Sequence, residues 1–295
     1  MLRGRTLDTG SAAVPKGATV SNTTEATQHA WIDWDLDGVL EETARYADRV
    51  ADLVLRAAGR EDDPVPGLDW TVRQLTIHLG AAAAGYVQYF DGADEIGYDI
   101  RDLTASNEKF MTAYGDHGLE RAAADIRDGH RHMVDVGRTL APLAPLGWHA
   151  GPTPVAAVLG IALNELLLHG LDLSRALDER WEITSDAARH GLRSALALAP
   201  VVVNRDRAAR VPMSYRLHVP GVVTSEWHFD TAGLRVAPAG TTRRVSCSTR
   251  VDPRAMILVA YGRSTALRAT ARGRALAWGR KPWAALNLAS YLNVS

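Results

Sequence analysis

The chain has 295 residues, with 33 Lys and Arg against 34 Asp and Glu, and a single cysteine, Cys247. This length is enough for one large domain or two ordinary ones, and one cysteine excludes an intrachain disulfide and favours a reducing cytoplasm. Because the arginines are scattered, with no lysine-rich run and no recognisable nucleic-acid motif, we expect no nucleic-acid partner.

The charge is divided unequally along the chain. Residues 1–204 carry 18 Lys and Arg against 30 Asp and Glu, whereas residues 205–295 carry 15 against 4. A change of this size indicates two domains with different surfaces. The basic C-terminal part could bind nucleic acid, attract an anionic small molecule or face the acidic part of its own chain, and the first of these is disfavoured by the scattered arginines.

The first 30 residues are rich in Gly, Ser, Thr and Ala and show no helical or strand periodicity. They are predicted to be a flexible tail. Their basic residues are not followed by an apolar core of signal-peptide length, and no later run approaches the roughly 18 apolar residues of a membrane span. We therefore expect a cytoplasmic protein with no membrane partner.

Four long helical patterns come next in the chain. They cover about residues 35–58, 69–90, 118–140 and 154–177. Asp35 and Asp69 are the candidate N-caps of the first two. Four amphipathic helices joined by short to moderate loops predict an all-α four-helix bundle over residues 31–182.

The pattern changes after the bundle. A further helix is predicted within a connecting segment, residues 183–210, and from residue 211 short alternating segments are separated by Gly, Pro and Asp. The predicted strands are SYRLHV, TSEWHF, LRVAP, RRVSCSTR and ALRATAR, and the predicted helices are DPRAMILVAYGR and PWAALNLASYL. Residues 211–295 are therefore expected to form a small α+β domain.

The fourth bundle helix contains the stretch NELLLHGLDLS, in which Glu165, His169 and Asp172 fall on one face. Glu165 and His169 are four positions apart and can be directed to one point. His78, in an otherwise apolar part of the second helix, is the best candidate for a third ligand from a facing helix. Such a trio would leave coordination positions open, as catalytic zinc sites do. Asp172 could accept a hydrogen bond from the His169 nitrogen that does not bind metal, or cap a neighbouring element.

Each of these residues also has an ordinary structural interpretation. A lone histidine such as His78 on an apolar face is more often a packed core residue, and a glutamate on a leucine-rich helix is usually solvated. The combination favours a metal site, because coordination removes the cost of burying an unpaired carboxylate. The weaker candidates are His117, His130, His132, His149, His218 and His228. Cys247 lies in a predicted strand and is expected to be packed rather than nucleophilic.

Two segments, WTVRQLTIHL (70–79) and ELLLHGLDLSRA (165–176), resemble the mycothiol-dependent maleylpyruvate isomerase family, part of the DinB-like group of metal-binding four-helix bundles. Carried over by position, the metal ligands of this family fall on His78, Glu165 and His169. The C-terminal part, notably VDPRAMILVAYGR, is similar to the sterol-carrier-protein-like domain often fused to such bundles.

The resemblance implies zinc as the metal, mycothiol as the thiol cosubstrate and a C-terminal arginine that binds substrate carboxylates. Arg263, Arg280 and several other arginines are candidates, so the resemblance assigns this role to none of them. In an isomerase, the thiolate would add to an activated cis double bond and be eliminated after rotation, whereas in a transferase the adduct would be released. A basic second domain would suit a small anionic or electrophilic substrate in the cleft between the domains.

Two other hypotheses remain open at this point. One is a thiol-independent enzyme that tailors a metabolite on the same fold, for which the metal would activate water. The other is a non-catalytic protein in which the C-terminal domain holds a small apolar molecule or lipid and the bundle is structural.

Overall fold

The computed structural model describes residues 29–93, 96, 102–149, 151–241 and 244–293, so nearly all of the predicted tail lies outside the described residues. The helices are α1 (Leu36–Leu55), α2 (Val72–Phe90), α3 (Leu103–Tyr114), α4 (Gly118–Gly137), α5 (Val155–Ala176), α6 (Ser185–Leu198), α7 (Arg205–Arg210), α8 (Pro253–Ala260), α9 (Ala266–Ala271) and a C-terminal 3₁₀ helix (Pro282–Tyr291). The strands are β1 (Pro145–Leu146), β2 (Thr153–Pro154), β3 (Met213–His218), β4 (Ser225–Asp230), β5 (Gly233–Pro238), β6 (Cys247–Val251) and β7 (Ala275–Trp278).

The predicted four-helix bundle is confirmed and consists of α1, α2, α4 and α5. Both α1 and α2 pack against α4 and α5, so the four helices enclose one core. The helix α5 is the most apolar of them and the one described helix with the length and composition of a membrane span. Because 78% of its most apolar window is buried inside the fold, its hydrophobicity is explained by its place in the core.

The helix α2 begins two residues later than predicted. Thr71, not Asp69, is its N-cap, because the Thr71 hydroxyl accepts from the Gln74 backbone N–H and the Gln74 side chain accepts from the Thr71 N–H. This reciprocal capping box satisfies two amides that a helix end leaves without partners. The preceding loop is held by the Val65 N–H, which donates to the Trp70 carbonyl at 2.9 Å. Trp70 is thereby fixed immediately before the helix that carries His78.

The C-terminal part is the predicted α+β domain. Its five strands lie in the order β5-β4-β3-β6-β7, with β3 and β6 parallel and the other neighbours antiparallel. One face is packed around Tyr215, Trp227, Phe229 and Tyr291, which are all at most 3% exposed. The helix α6 contacts both α5 and α8, so it joins this domain to the bundle.

Some predicted elements of this domain are wrong. ALRATAR was expected to be a strand, but Ala266–Ala271 is a short helix capped by the Thr265 side chain. The last strand is β7, which the sequence pattern did not indicate, and the final helix is of the 3₁₀ type. The prediction for α8 is confirmed, with Asp252 as N-cap and Pro253 in its first turn.

The contact between α5 and α6 depends on Gly160. A Cβ atom at this position would lie 1.8 Å from the Ser194 hydroxyl oxygen and 3.1 Å from the His190 carbonyl oxygen. We therefore expect Gly160→Ala to lower the free energy of unfolding by about 2 kcal/mol, the typical cost of overpacking. Urea unfolding of the purified chain measures this change.

Gly129→Ala is the matched control, because its Cβ would meet only ordinary contacts at 3.4 Å with Ala83 and Val87. Replacing a helical glycine there is expected to raise the free energy of unfolding by up to about 1 kcal/mol. Equal destabilisation by both substitutions would contradict the close helix contact at Gly160.

Candidate metal centre

The structure brings together His78 from α2 and both Glu165 and His169 from α5. The Glu165 Oε2 atom lies 3.3 Å from His78 Nε2 and 3.2 Å from His169 Nε2. One ligand atom of each residue falls within 4.8 Å of the other two. The three residues selected from the sequence therefore form a compact cluster of two imidazoles and one carboxylate.

The spacing of these atoms fits a tetrahedral metal shell. With metal–nitrogen and metal–oxygen bonds of about 2.0–2.1 Å, two ligands of a tetrahedral ion are separated by roughly 3.3–3.4 Å. The two separations that meet at Glu165 Oε2 are 3.3 Å and 3.2 Å. Two histidines and a carboxylate supply three ligands and would leave one position of the tetrahedron for water or a substrate atom.

The surroundings of the cluster combine burial with an opening. The His78 side chain is 10% exposed and that of His169 is 13% exposed, whereas the Glu165 side chain is 32% exposed. The Trp70 ring lies 4.9 Å from the His78 ring and 6.3 Å from the His169 ring. Trp70 thus covers the two imidazoles, and the cluster reaches solvent on the side of Glu165.

On the side of His169 away from the ligand cluster lies the buried carboxylate of Asp172, whose charge is neutralised by Arg263 of the C-terminal domain. The His169 Nδ1 atom is 3.3 Å from Asp172 Oδ2, and the Asp172 side chain is only 2% exposed. Arg263, in the loop after α8, donates from its Nη2 atom to the same Oδ2 at 2.6 Å and from Nε to both oxygens at 3.3 Å. The contact between His169 and Asp172 is an ion pair and not a hydrogen bond, since His169 Nδ1 has no hydrogen-bond partner among the described residues. A carboxylate beside Nδ1 nevertheless leaves Nε2 directed at the ligand cluster.

The C-terminal domain makes a second polar contact close to the cluster. Asn164, the neighbour of Glu165, donates to the Tyr261 hydroxyl at 3.1 Å and to the Gly191 carbonyl at 3.1 Å. Tyr261 also accepts a hydrogen bond at its backbone carbonyl from Arg263 at 2.7 Å. The segment 261–263 therefore fastens the second domain to the helix that carries two of the three candidate ligands.

Of the two arginines named as examples of a partner for a substrate carboxylate, the structure brings Arg263 to the site. Its guanidinium is occupied by Asp172 and by the Tyr261 carbonyl. Arg280 is exposed in the turn after β7. Sequence periodicity could not find the partner of Arg263, because 91 residues separate it from Asp172.

The charges of the cluster are coupled. Burial alone would raise the pKa of Glu165, but contacts with His169 and His78 hold it far below its ordinary value. Burial lowers the pKa of His78, and the neighbouring charge of His169 lowers it further. Burial also opposes the charge of His169, yet its contacts with Asp172 and Glu165 prevail and raise its pKa to about 9. Without metal, His169 is therefore a cation at neutral pH between two anions.

The proton that makes His169 a cation must leave before this residue can bind a metal, so the metal affinity is expected to depend on pH. Below the His169 pKa of about 9, the affinity for zinc is expected to rise about tenfold per pH unit, and above it to level off. The low pKa values of His78 and Glu165 mean that neither adds a proton between about pH 7 and 9. Titrations against a chelator of known affinity measure this slope.

In Asp172→Asn, the support for the charged imidazole is reduced, and the plateau is expected to begin at lower pH. A zinc affinity that is flat from about pH 7 to 9 in the wild type would contradict the protonated state assigned to His169.

The remaining histidines lie outside this cluster among the described residues. His130 is buried in α4, where its Nδ1 atom is 2.7 Å from the Ile126 carbonyl, and burial lowers its pKa to about 4. His132 is exposed and contacts Asp91 at 2.7 Å. Cys247 is fully buried in β6, as expected for a packed residue, and burial raises the pKa of its thiol.

Comparison with known proteins shows that the bundle resembles a known family. Residues 39–174 match the family model described as the mycothiol maleylpyruvate isomerase N-terminal domain, and this range holds all three clustered residues and Asp172. No curated protein sequence matches the chain significantly.

One solved structure shares the fold, and two others align less well. The crystal structure of a mycothiol-dependent maleylpyruvate isomerase superimposes with a TM-score of 0.51 at 13% identity, covering 79% of this chain and 91% of that one. A mutant of a mycothiol-dependent maleylpyruvate isomerase has a TM-score of 0.49 with the same identity and coverage. An inverting sec-alkylsulfatase from Pseudomonas sp. has a TM-score of 0.30 at 13% identity and covers 47% of this chain and 24% of that one.

Proposed function

We propose that the chain is a zinc-dependent enzyme of thiol chemistry, because residues 39–174 match the family model of mycothiol maleylpyruvate isomerase N-terminal domains. Its substrates would be a low-molecular-weight thiol, in the first instance mycothiol, and a small electrophile that is isomerised or receives the sulfur. The observation that carries this proposal is the convergence of His78, Glu165 and His169 on one point.

Zinc is the metal that this donor set supports best. Two neutral imidazoles and a carboxylate are common ligands of catalytic zinc, and three of them leave a position open. When bound, zinc supplies a positive charge that lowers the pKa of a thiol and holds it as a thiolate. The chain itself offers no such thiol, since its one cysteine, Cys247, is fully buried in the sheet of the other domain. The thiol must therefore be a cosubstrate.

The residues around the cluster have separate roles in this proposal. Asp172 holds the His169 ring in place, and Arg263 neutralises Asp172. Trp70 shields the two imidazoles from water, which strengthens their interactions with a bound ion. The 32% exposure of the Glu165 side chain marks the side from which thiol and electrophile can approach. The positive charge of the second domain favours an anionic electrophile.

The test uses the zinc-loaded chain with mycothiol and maleylpyruvate, followed by a panel of other small electrophiles. We expect product formation in the assay to require both thiol and zinc. The same reaction is expected in a reducing cytoplasm. Turnover should be lost in His78→Ala and kept in His132→Ala, because His132 contacts Asp91 and lies outside the cluster of candidate ligands. Equal turnover with no thiol present would instead support a thiol-independent enzyme on the same fold.

A second candidate function, the binding of an apolar ligand by a sterol-carrier-like C-terminal domain, is favoured by one feature. An apolar groove runs between β6, β7, α8, α9 and the 3₁₀ helix. Thr249, which lines it, is 3% exposed and has a hydroxyl without a hydrogen-bond partner among the described residues. Organic extraction of the purified chain followed by mass spectrometry tests this candidate: a stoichiometric apolar compound, with no turnover in the thiol assays, would place binding ahead of catalysis.

A further inference from the structure

The C-terminal end of the chain exposes apolar side chains to an unusual degree. Of the eight large hydrophobic side chains that are exposed among the described residues, five lie between residues 267 and 286. These five are Leu267 (67% exposed), Leu276 (61%), Trp278 (52%), Trp283 (64%) and Leu286 (49%). Single exposed apolar residues need no explanation, but a cluster of them marks an interaction surface.

Four of these side chains lie along one edge of the sheet, on β7 and on the 3₁₀ helix beside it. Leu276 and Trp278 are two positions apart on β7 and so point to the same side of that strand. Trp283 and Leu286 are three positions apart in the 3₁₀ helix, where that spacing places side chains in line. Leu276 and Leu286 both border the groove between β7 and the 3₁₀ helix, which packs on the side of β7 opposite to the one from which Leu276 and Trp278 project. The four side chains therefore flank one edge of the sheet from both sides. We call Leu276, Trp278, Trp283 and Leu286 the apolar patch.

The patch lies in a strictly basic segment. Residues 253–295 contain seven Lys and Arg and no Asp or Glu. Arg272 and Arg274 precede β7, and Arg280 and Lys281 follow it. All four are exposed, and none of them forms an ion pair with another described residue. The positive charge around the patch is therefore available to an external partner.

We propose that the apolar patch and its four flanking cations dock the protein on an anionic lipid surface. Tryptophan is the residue most typical of the boundary between water and hydrocarbon, and leucine beside it adds apolar area that can enter the acyl region. Exposed Arg and Lys at both ends of β7 complement the negative charge of lipid head groups. A second copy of the chain is a poorer partner, since a symmetric contact would place each basic segment against itself.

The position of β7 fits this role. It is the edge strand of the sheet, and the opposite edge is β5. The site of docking is therefore separate from His78, Glu165 and His169 in the bundle. This inference revises the expectation of no membrane partner, which was based on the lack of a membrane-spanning run. It does not depend on the proposed chemistry, because the patch and the metal centre have no residue in common.

The test is co-sedimentation of the full chain with vesicles of phosphatidylcholine containing phosphatidylglycerol, beside vesicles of phosphatidylcholine alone. We expect binding only to the anionic vesicles, weakened by added salt. Two double variants should each weaken vesicle binding by about tenfold or more. One combines Trp278→Ala with Trp283→Ala, and the other combines Arg280→Glu with Lys281→Glu. Glu165→Gln should bind the anionic vesicles as the wild type does. The vesicle experiment therefore tests membrane docking independently of the proposed zinc site.

The matched control is Arg205→Glu with Arg235→Glu. It makes the same change in net charge at exposed positions beside and within β5, the other edge of the sheet, and should leave vesicle binding nearly unchanged. Equal weakening by this control would overturn docking at β7. The proposal would also be overturned by wild-type chain that stays in the supernatant, or by sedimentation equilibrium showing a dimer that the tryptophan substitutions dissociate.

Discussion

Glu165→Gln is expected to remove tight zinc binding and to abolish measurable thiol-dependent turnover. Glu165 Oε2 is the atom that both imidazoles approach, at 3.3 Å and 3.2 Å, and it is the only anionic ligand of the cluster. The loss should exceed the roughly 10- to 100-fold that follows removal of a group that merely orients a ligand. Competition with a chromophoric chelator measures zinc affinity, and single-turnover product formation measures the chemistry.

The control for this substitution is Glu41→Gln. Glu41 is exposed on α1, outside the cluster, and the same change of carboxylate to amide there should leave both measurements at the wild-type values. Retention of full zinc affinity in Glu165→Gln would show that the carboxylate is not a ligand, and the zinc mechanism proposed for this chain would then be wrong.

Asp172→Asn is expected to have the second-largest effect, on stability and metal affinity together. It would leave the Arg263 guanidinium, whose side chain is only 16% exposed, without its anionic partner. Breaking one half of a buried pair costs about 3 kcal/mol or more. Because Asp172 also supports His169, zinc affinity should fall about 10- to 100-fold. Urea unfolding of the metal-free chain and the chelator titration measure the two effects.

A double-mutant cycle separates the pair from its surroundings. Asp172→Asn combined with Arg263→Met should cost much less than the sum of the single substitutions, because no unpaired charge remains buried. The matched cycle at the exposed pair Asp128 and Arg131, whose side chains are 70% and 59% exposed, should show a coupling of less than about 0.5 kcal/mol. Additive losses at Asp172 and Arg263 would mean that the contact between the domains contributes no stability.

The bundle could be predicted because its apolar residues recur with the period of a helix, as in α1 and α5. The helix α3 could not, since LTASNEKFMTAY has few apolar residues in period and packs mainly on α2. ALRATAR was misassigned because Arg and Thr alternate with Ala as in a strand. The Thr265 cap and Gly273, at a φ of 67°, delimit a short helix there instead.

The candidate site shows the same division between local and distant information. The spacing of Glu165 and His169 is local, so the sequence predicts their shared face, and His78 was selected because it interrupts an apolar helix. Trp70 falls within the predicted helix 69–90, yet in the structure it precedes the helix and lies beside both imidazoles. Arg263 comes from the other domain, and only the folded chain places it on Asp172.

The central claim is that His78, Glu165 and His169 together hold one zinc ion. The most direct test is the zinc content of folded wild-type chain and of His78→Ala, both purified without added metal and then offered zinc, with His132→Ala as the histidine control. The claim predicts about one zinc per chain in the wild type and in the control, and little in His78→Ala. Zinc retained in full by folded His78→Ala, or absent from the wild type after zinc is offered, would contradict it.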